Sequence, residues 1–61
     1  MNYIQKSTTE NSITTYHYYD GISWTTNFYS KKEYENSSEC DTIISDAGED
    51  PDWTDAEIKS T

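Results

Sequence analysis

Two stretches rich in β-branched and aromatic residues dominate the hydrophobic pattern, at residues 12–19 and 22–29. This composition is typical of β-strands. The pair Asp20-Gly21 lies between them, and such a pair favours a two-residue type I′ turn because both turn positions need a positive φ. The sequence therefore predicts a β-hairpin that turns at Asp20 and Gly21.

A two-residue turn at this position would fix which side chains share a face of the hairpin. The predicted apolar face carries the cross-strand pairs Tyr19–Ile22, His17–Trp24, Thr15–Thr26 and Ile13–Phe28. The opposite face is polar but carries three tyrosines, Tyr16, Tyr18 and Tyr29. A lone hairpin is only marginally stable in water, so we expect further elements to cover its apolar face.

Three segments outside the hairpin have the character of regular structure. Residues 2–6 suit an edge strand, with residues 6–11 as the loop that leads into the hairpin. Ser30-Lys31-Lys32-Glu33 has the form of a capping box, which predicts a short helix at about residues 31–40. Residues 42–45 are a second candidate strand. The predicted fold is α+β: a small antiparallel sheet centred on the hairpin, a short helix, and an acidic, partly irregular C-terminal segment.

Charge divides the chain into two unlike halves. The formal net charge is −8; residues 1–32 carry a net of +1 and residues 33–61 a net of −9. We therefore predict a small β-rich domain over residues 1–45 and an acidic segment over residues 46–61. In that segment, Asp50 and Pro51 suit the cap and first position of a short helical turn. The alternative is a segment that stays disordered until a partner orders it.

Composition argues against catalysis and against a cofactor. Only 31% of the 61 residues are hydrophobic, against about 45–50% in an ordinary domain, so a deep substrate cavity is not expected. Cys40 is the only cysteine and His17 the only histidine, so they are the one obvious nucleophile–base pair, and nothing in the sequence brings them together. A zinc site needs about four ligands, usually cysteine and histidine, and the chain offers two. A calcium loop that starts at Asp46 would place Pro51 where the sharp turn needs glycine. We expect no enzyme activity, no metal and no cofactor.

Three further features bear on location and partners. No apolar run approaches the roughly 18 residues of a membrane span. The first residues lack the basic and apolar stretches of a secretory signal, and Cys40 has no second cysteine to pair with, so we expect a cytoplasmic protein. The negative charge disfavours direct binding to nucleic acid or to anionic lipid.

Residues 18–25, with the sequence Tyr-Tyr-Asp-Gly-Ile-Ser-Trp-Thr, carry one local similarity. They resemble the aromatic-Asp-Gly-x-x-Trp-Thr hairpin found in several short bacterial surface-associated modules. The resemblance covers eight residues and implies a hairpin, with no function attached to it.

The leading hypothesis is an inhibitor that occupies a basic site on a nucleic-acid-processing or defence protein by mimicking nucleic acid. In size and acidity the chain resembles the small bacteriophage-encoded inhibitors, including anti-CRISPR and anti-restriction proteins, which would place it in the host cytoplasm. Carboxylates on a small scaffold are steered rapidly onto basic grooves, and a tryptophan provides an anchor. The residues predicted to bind this partner are Glu49, Asp50, Asp52, Trp53, Asp55 and Glu57.

Two alternatives stay open at this point. In the first, the chain is an adaptor or antitoxin-like module that binds a protein through Tyr16, Tyr18 and Tyr29. In the second, it is a small homo-oligomeric structural subunit in which an exposed hairpin edge pairs with a second copy.

Overall fold

The computed structural model describes residues 1–61 and contains one antiparallel sheet and one helix. The sheet has the strand order β3-β2-β1-β4. Two 3₁₀ turns, Phe28–Ser30 and Pro51–Trp53, lie between the regular elements. The predicted α+β class with a small antiparallel sheet is confirmed. The elements are β1 (Asn2–Glu10), β2 (Ile13–Tyr19), β3 (Trp24–Thr25), α1 (Ser37–Ala47) and β4 (Glu57–Ser60).

The longest hairpin joins β1 to β2 and turns at Asn11 and Ser12. Both turn residues have positive φ, 52° and 66°, as a type I′ turn requires. Glu10 and Ile13 face each other across the turn. The predicted loop over residues 6–11 is therefore wrong, and the strand predicted at residues 2–6 continues to Glu10 as a central strand. The turn residues, Asn11 and Ser12, include no glycine, so the Asn-Gly or Asp-Gly pair that usually marks such a turn in a sequence is absent.

The chain does reverse at Asp20 and Gly21, but through a four-residue loop in place of a two-residue turn. One Asp20 carboxylate oxygen accepts hydrogen bonds from the N–H groups of Ile22 (2.9 Å) and Ser23 (2.7 Å). The Asp20 N–H donates to the Ser23 carbonyl at 3.0 Å. This loop displaces the predicted register by two residues, so the observed strand pairs are Tyr19–Trp24 and Tyr18–Thr25.

The predicted second hairpin strand, residues 22–29, is reduced to two residues. After Thr25 the chain leaves the sheet and enters the 3₁₀ turn Phe28–Ser30, where the Asn27 side chain accepts from the Tyr29 N–H at 3.0 Å. Because the strand ends early, the predicted pairs Thr15–Thr26 and Ile13–Phe28 do not form. An asparagine cap outweighs the β-propensity of the residues that follow it.

The helix lies further along the chain than predicted. Residues 31–40 were expected to be helical and residues 42–45 to be a strand, whereas α1 covers both Ser37–Cys40 and the whole of 42–45. The capping interaction that forms is between Asn36 and Glu39, whose carboxylate accepts from the Asn36 N–H at 3.3 Å. The buried or half-buried residues of α1 recur at helical spacing, at positions 40, 43, 44 and 47.

The acidic segment, residues 46–61, is built into the fold. Asp50 caps the second 3₁₀ turn as predicted, with its carboxylate accepting from the Asp52 N–H at 3.0 Å and Pro51 at the first position. Strand β4 then pairs antiparallel with Asn2–Gln5. The carboxylates of this segment are therefore held by a helix end, a turn and a strand.

Very few side chains are fully enclosed. Only Ile4 in β1 and Cys40 in α1 have no exposed surface, and α1 packs against β1 and β4. Ile4 faces Ile58 across the β1–β4 pair. Six aromatic rings pack in two clusters on the faces of the sheet.

Candidate functional site

Two aromatic clusters lie on opposite faces of the sheet. Tyr18 and Tyr19 are consecutive in β2, so their rings point to opposite sides. Tyr19 joins the tryptophan cluster, which we define as Tyr19, Trp24 and Trp53. Tyr18 joins the tyrosine cluster, which we define as Tyr3, Tyr18 and Phe28.

The tryptophan cluster is made by three separate elements. The ring centroids of Tyr19 and Trp24, paired across β2 and β3, are 5.6 Å apart. Trp53, from the second 3₁₀ turn, packs edge-on with its centroid 4.8 Å from each of them. These tilted and T-shaped contacts are the favourable geometries for aromatic pairs. Each ring is only half-buried, so part of the cluster stays open to solvent.

A cleft opens between the Asp20–Ser23 loop and the second 3₁₀ turn, and we call it the acidic cleft. It encloses about 300 Å³. The tryptophan cluster forms its walls, Ile22 stands on its rim with 91% of its surface exposed, and Asp50 and Asp52 supply carboxylates. One oxygen of Asp50 caps the turn, whereas the Asp52 carboxylate makes no hydrogen bond or ion pair.

Lys6 shows how an ammonium group sits against this cluster. Its Nζ lies 4.4 Å from the Trp24 ring centroid and donates a 2.8 Å hydrogen bond to the backbone carbonyl of Asp52. A cation over an indole face gains about 0.5–2 kcal/mol, according to how far the pair is desolvated. The cluster therefore already holds one cation, which belongs to the chain itself.

Most acidic residues of the second half of the chain have no ion-pair partner. All ten acids between residues 33 and 57 are exposed. Only two of them form ion pairs: Glu33 with Lys31 at 3.5 Å and Glu57 with Lys59 at 3.8 Å. Helix α1 ends without a basic residue in its last turn, so its negative dipole end adds to the field of Asp46. Eight of the ten acids therefore have no ion-pair partner within the chain.

The structure divides the residues that were predicted to bind a partner. Asp50, Asp52 and Trp53 line the acidic cleft, and Glu49, Asp55 and Glu57 are exposed near it in the chain. The three tyrosines are apart from this group. Tyr18 is half-buried in the tyrosine cluster, Tyr29 is 92% exposed beside Phe28, and Tyr16 is 50% exposed on β2.

The tyrosine cluster is already covered by a lysine of the same chain. Lys31 Nζ lies 3.7 Å from the Phe28 ring centroid and 5.5 Å from that of Tyr3. The Lys31 side chain is only 8% exposed. A cation of the chain therefore lies against this ring face, as Lys6 lies against Trp24 in the tryptophan cluster.

Cys40 and His17, the two residues considered for nucleophilic chemistry, lie in unsuitable surroundings. Burial, followed by the nearby carboxylates Glu39 and Asp41, raises the pKa of the Cys40 thiol, which disfavours the reactive thiolate. Burial also raises the pKa of Tyr34, with Tyr19, Cys40 and Glu39 adding to the effect. His17 Nδ1 is buried without a hydrogen-bond partner. No three metal-ligating side chains lie together, and no helix is long and apolar enough to cross a membrane.

Sequence reasoning missed four contributors to the acidic cleft: Lys6, Tyr19, Ile22 and Trp24. Tyr19 and Trp24 were predicted to lie on one buried, apolar face of the hairpin. They do lie on one face, but both rings are only half-buried. Lys6 was placed at the boundary between the predicted edge strand (residues 2–6) and the predicted loop (residues 6–11), with no role in the site. The alternation of β1 would have placed it on the same face as Ile4, which is the one local signal for its position.

No protein-family model, curated protein or solved structure matches this chain.

Proposed function

We propose that this protein binds a basic site on another protein through the acidic cleft and the carboxylates around it. The observation that carries the proposal is the unneutralised charge: all ten acids between residues 33 and 57 are exposed and only two are in ion pairs. Eight of these charges have no cationic partner within the chain, and like charges held on one small domain repel one another. A basic partner relieves that repulsion.

The cleft supplies the contact chemistry that an arginine or lysine side chain needs. Its aromatic walls suit a guanidinium or ammonium group, and arginine also pairs with carboxylates through a planar fork of donors. Asp50 and Asp52 stand at these walls. Lys6 shows that a cation is accommodated on Trp24. The rim residue Ile22, 91% exposed, adds apolar area beside the cleft.

We further propose that the partner is a nucleic-acid-processing or defence protein whose basic groove the acidic surface blocks. Grooves that bind phosphate backbones are the strongly basic surfaces common on such proteins. Carboxylates held at fixed positions compete for the same lysines and arginines. The proposal includes a phage-encoded inhibitor of host enzymes as its most specific form, and it assigns no catalysis to the chain.

Capture from a bacterial lysate on the immobilised protein, at low and at high salt, tests this function. Asp50→Asn with Asp52→Asn removes two charges from the cleft and keeps the oxygen that caps the 3₁₀ turn. Glu35→Gln with Asp41→Asn is the matched control, since it removes two exposed charges outside the cleft. Captured proteins should be nucleic-acid-binding proteins that elute with salt, and the cleft variant should lose them while the control keeps most of them.

Competition distinguishes groove blocking from other contacts. A short DNA duplex added to the captured complex should displace the protein if both occupy one basic groove. Capture that is insensitive to salt, or that both double variants weaken equally, contradicts the proposal. Capture lost only on Tyr16→Ala with Tyr29→Ala would favour the adaptor alternative.

A further inference from the structure

The hairpin of β1 and β2 extends beyond the rest of the sheet as an arm, which we define as Thr8–Tyr16. Strand β4 pairs with β1 only at Asn2–Gln5, and β3 pairs with β2 only at Tyr18 and Tyr19. The arm therefore has no neighbouring strand on either side. Its nine residues are all exposed, including Ile13 at 68% and Tyr16 at 50%.

The hydrogen-bonding direction along β2 identifies which backbone groups are open. Glu10 and Ile13 flank a two-residue turn, and such a pair exchanges both of its hydrogen bonds. Every second residue from Ile13 consequently points its N–H and C=O toward β1. Thr14 and Tyr16 point theirs outward, and no backbone hydrogen bond to these outward groups forms outside the helices and strands.

This open edge is complementary to a copy of itself. In an antiparallel pair, two outward-pointing residues exchange both hydrogen bonds and the residue between them lies at a non-hydrogen-bonded position. When Thr14 of one copy pairs with Tyr16 of the other, the N–H and C=O groups of both residues are hydrogen-bonded. The two-fold axis repeats this pair on its other side. Thr15 then lies opposite Thr15 of the second copy on the two-fold axis.

The charge distribution favours a second copy over the basic partner at this edge. Glu10 is the only charged residue of the arm, whereas the ten acids of the chain's second half lie at residues 33–57. A basic surface finds only Glu10 to pair with on the arm, and Glu10 lies on β1, away from the β2 edge. Two neutral edges meet there without bringing acidic segments into the contact.

The small number of buried side chains also favours pairing with a second copy. Two fully enclosed side chains are a thin core for 61 residues, and small domains commonly gain stability by oligomerisation. An open edge beside exposed apolar side chains is a site at which further strands add. We propose that two copies of this chain pair antiparallel through the Thr14–Tyr16 edge of β2, joining their sheets into one.

A pair of proline variants tests the edge. Thr9 and Thr14 are cross-strand neighbours that share a 3.0 Å hydroxyl contact, and their N–H groups point to opposite edges of the arm. Either substitution, Thr14→Pro or Thr9→Pro, loses the same side-chain contact and is tolerated at an open edge. In sedimentation velocity the wild type and Thr9→Pro should form dimers with rising concentration, and Thr14→Pro should stay monomeric.

Cysteine cross-linking tests the register without relying on the proline variants. Antiparallel non-hydrogen-bonded residues have Cα atoms about 4.5 Å apart, within the range of about 4.4–6.8 Å that a disulfide spans. Thr15→Cys should therefore give a covalent dimer under mild oxidation. Thr8→Cys, the cross-strand partner in β1, is the control and should give only the background level.

Several outcomes overturn this proposal. A wild type that remains monomeric, equal behaviour of the two proline variants, or equal cross-linking at positions 8 and 15 each does so. Salt separates this contact from the basic partner, because screening the charge of −8 on each copy strengthens the dimer and weakens the partner complex.

Discussion

Replacing Ser12 with glycine should stabilise the protein. Ser12 occupies the second position of the β1–β2 turn with φ of 66°, a left-handed conformation that glycine adopts freely and other residues do not. The Ser12 hydroxyl makes no hydrogen bond that the substitution would remove. The one side-chain hydrogen bond near the turn joins the hydroxyls of Thr9 and Thr14.

The magnitude follows from two opposing terms. A non-glycine residue in the left-handed region costs roughly 1–2 kcal/mol. A glycine costs about 0.5–1 kcal/mol more backbone entropy than alanine on folding. Around the middle of both ranges, the difference leaves Ser12→Gly more stable by about 0.5–1 kcal/mol. In a domain of this size, 1 kcal/mol raises Tm by roughly 4–8 °C, so we expect a rise of about 2–8 °C.

Thermal and urea unfolding followed by far-ultraviolet circular dichroism measures this change. Ser23→Gly is the matched control: Ser23 is exposed and lies in the other loop of the sheet, but its φ is negative. This control should lose stability, because it adds the entropy cost of glycine, removes a hydroxyl that hydrogen-bonds the Asp20 carboxylate and relieves no strain. If Ser12→Gly were as destabilising as Ser23→Gly, the assignment of the turn to Asn11 and Ser12 would be refuted.

Two further predictions concern the other loop and the buried thiol. Gly21→Ala should destabilise the protein by about 1 kcal/mol or more, because φ is +100° at this position and a Cβ would lie 3.0 Å from Lys32 Cδ; a lowered urea midpoint checks this, and an unchanged midpoint contradicts it. Stability should also fall as pH rises above about 9, since the folded-state pKa values of Cys40 and Tyr34 are raised above 9.0 and 10.0 and the unfolded chain ionises first. Urea titrations at neutral and alkaline pH measure this loss, and Cys40→Ala should reduce it.

Local pattern predicted the elements whose causes are local. The Asp50 cap with Pro51 behind it was correct because cap, proline and turn are adjacent in the chain. The strand character of residues 13–19 was also correct. The turn at Asp20 and Gly21 was mispredicted in type, because a carboxylate that accepts two N–H groups favours a longer loop than the dipeptide alone indicates.

The helix was misplaced because two signals compete within it. Thr42, Ile43 and Ile44 are β-branched and favour a strand, whereas the spacing of Cys40, Ile43, Ile44 and Ala47 marks one helix face. The second signal prevails because that face packs on the sheet. Propensity gives way when burial supplies more free energy.

The acidic cleft could be predicted only in part. Its carboxylates follow from composition, and Trp53 was selected as an anchor. The contact between Trp53 and Trp24 joins residues that are far apart in sequence, and it depends on β4 returning to the sheet. No local pattern contains that information, so the aromatic walls appear only once the strands are paired.

The position of the two tryptophans makes the intrinsic fluorescence of the protein sensitive to the cleft. Trp24 and Trp53, the chain's only two, have ring centroids 4.8 Å apart at 61° in the cleft wall, close enough for their electronic transitions to couple. Their fluorescence emission therefore reports on one face of the sheet. A cation that enters the cleft should change this emission, whereas pairing of the arms, which contain no tryptophan, should leave it largely unaltered, so unlabelled protein distinguishes the two kinds of association.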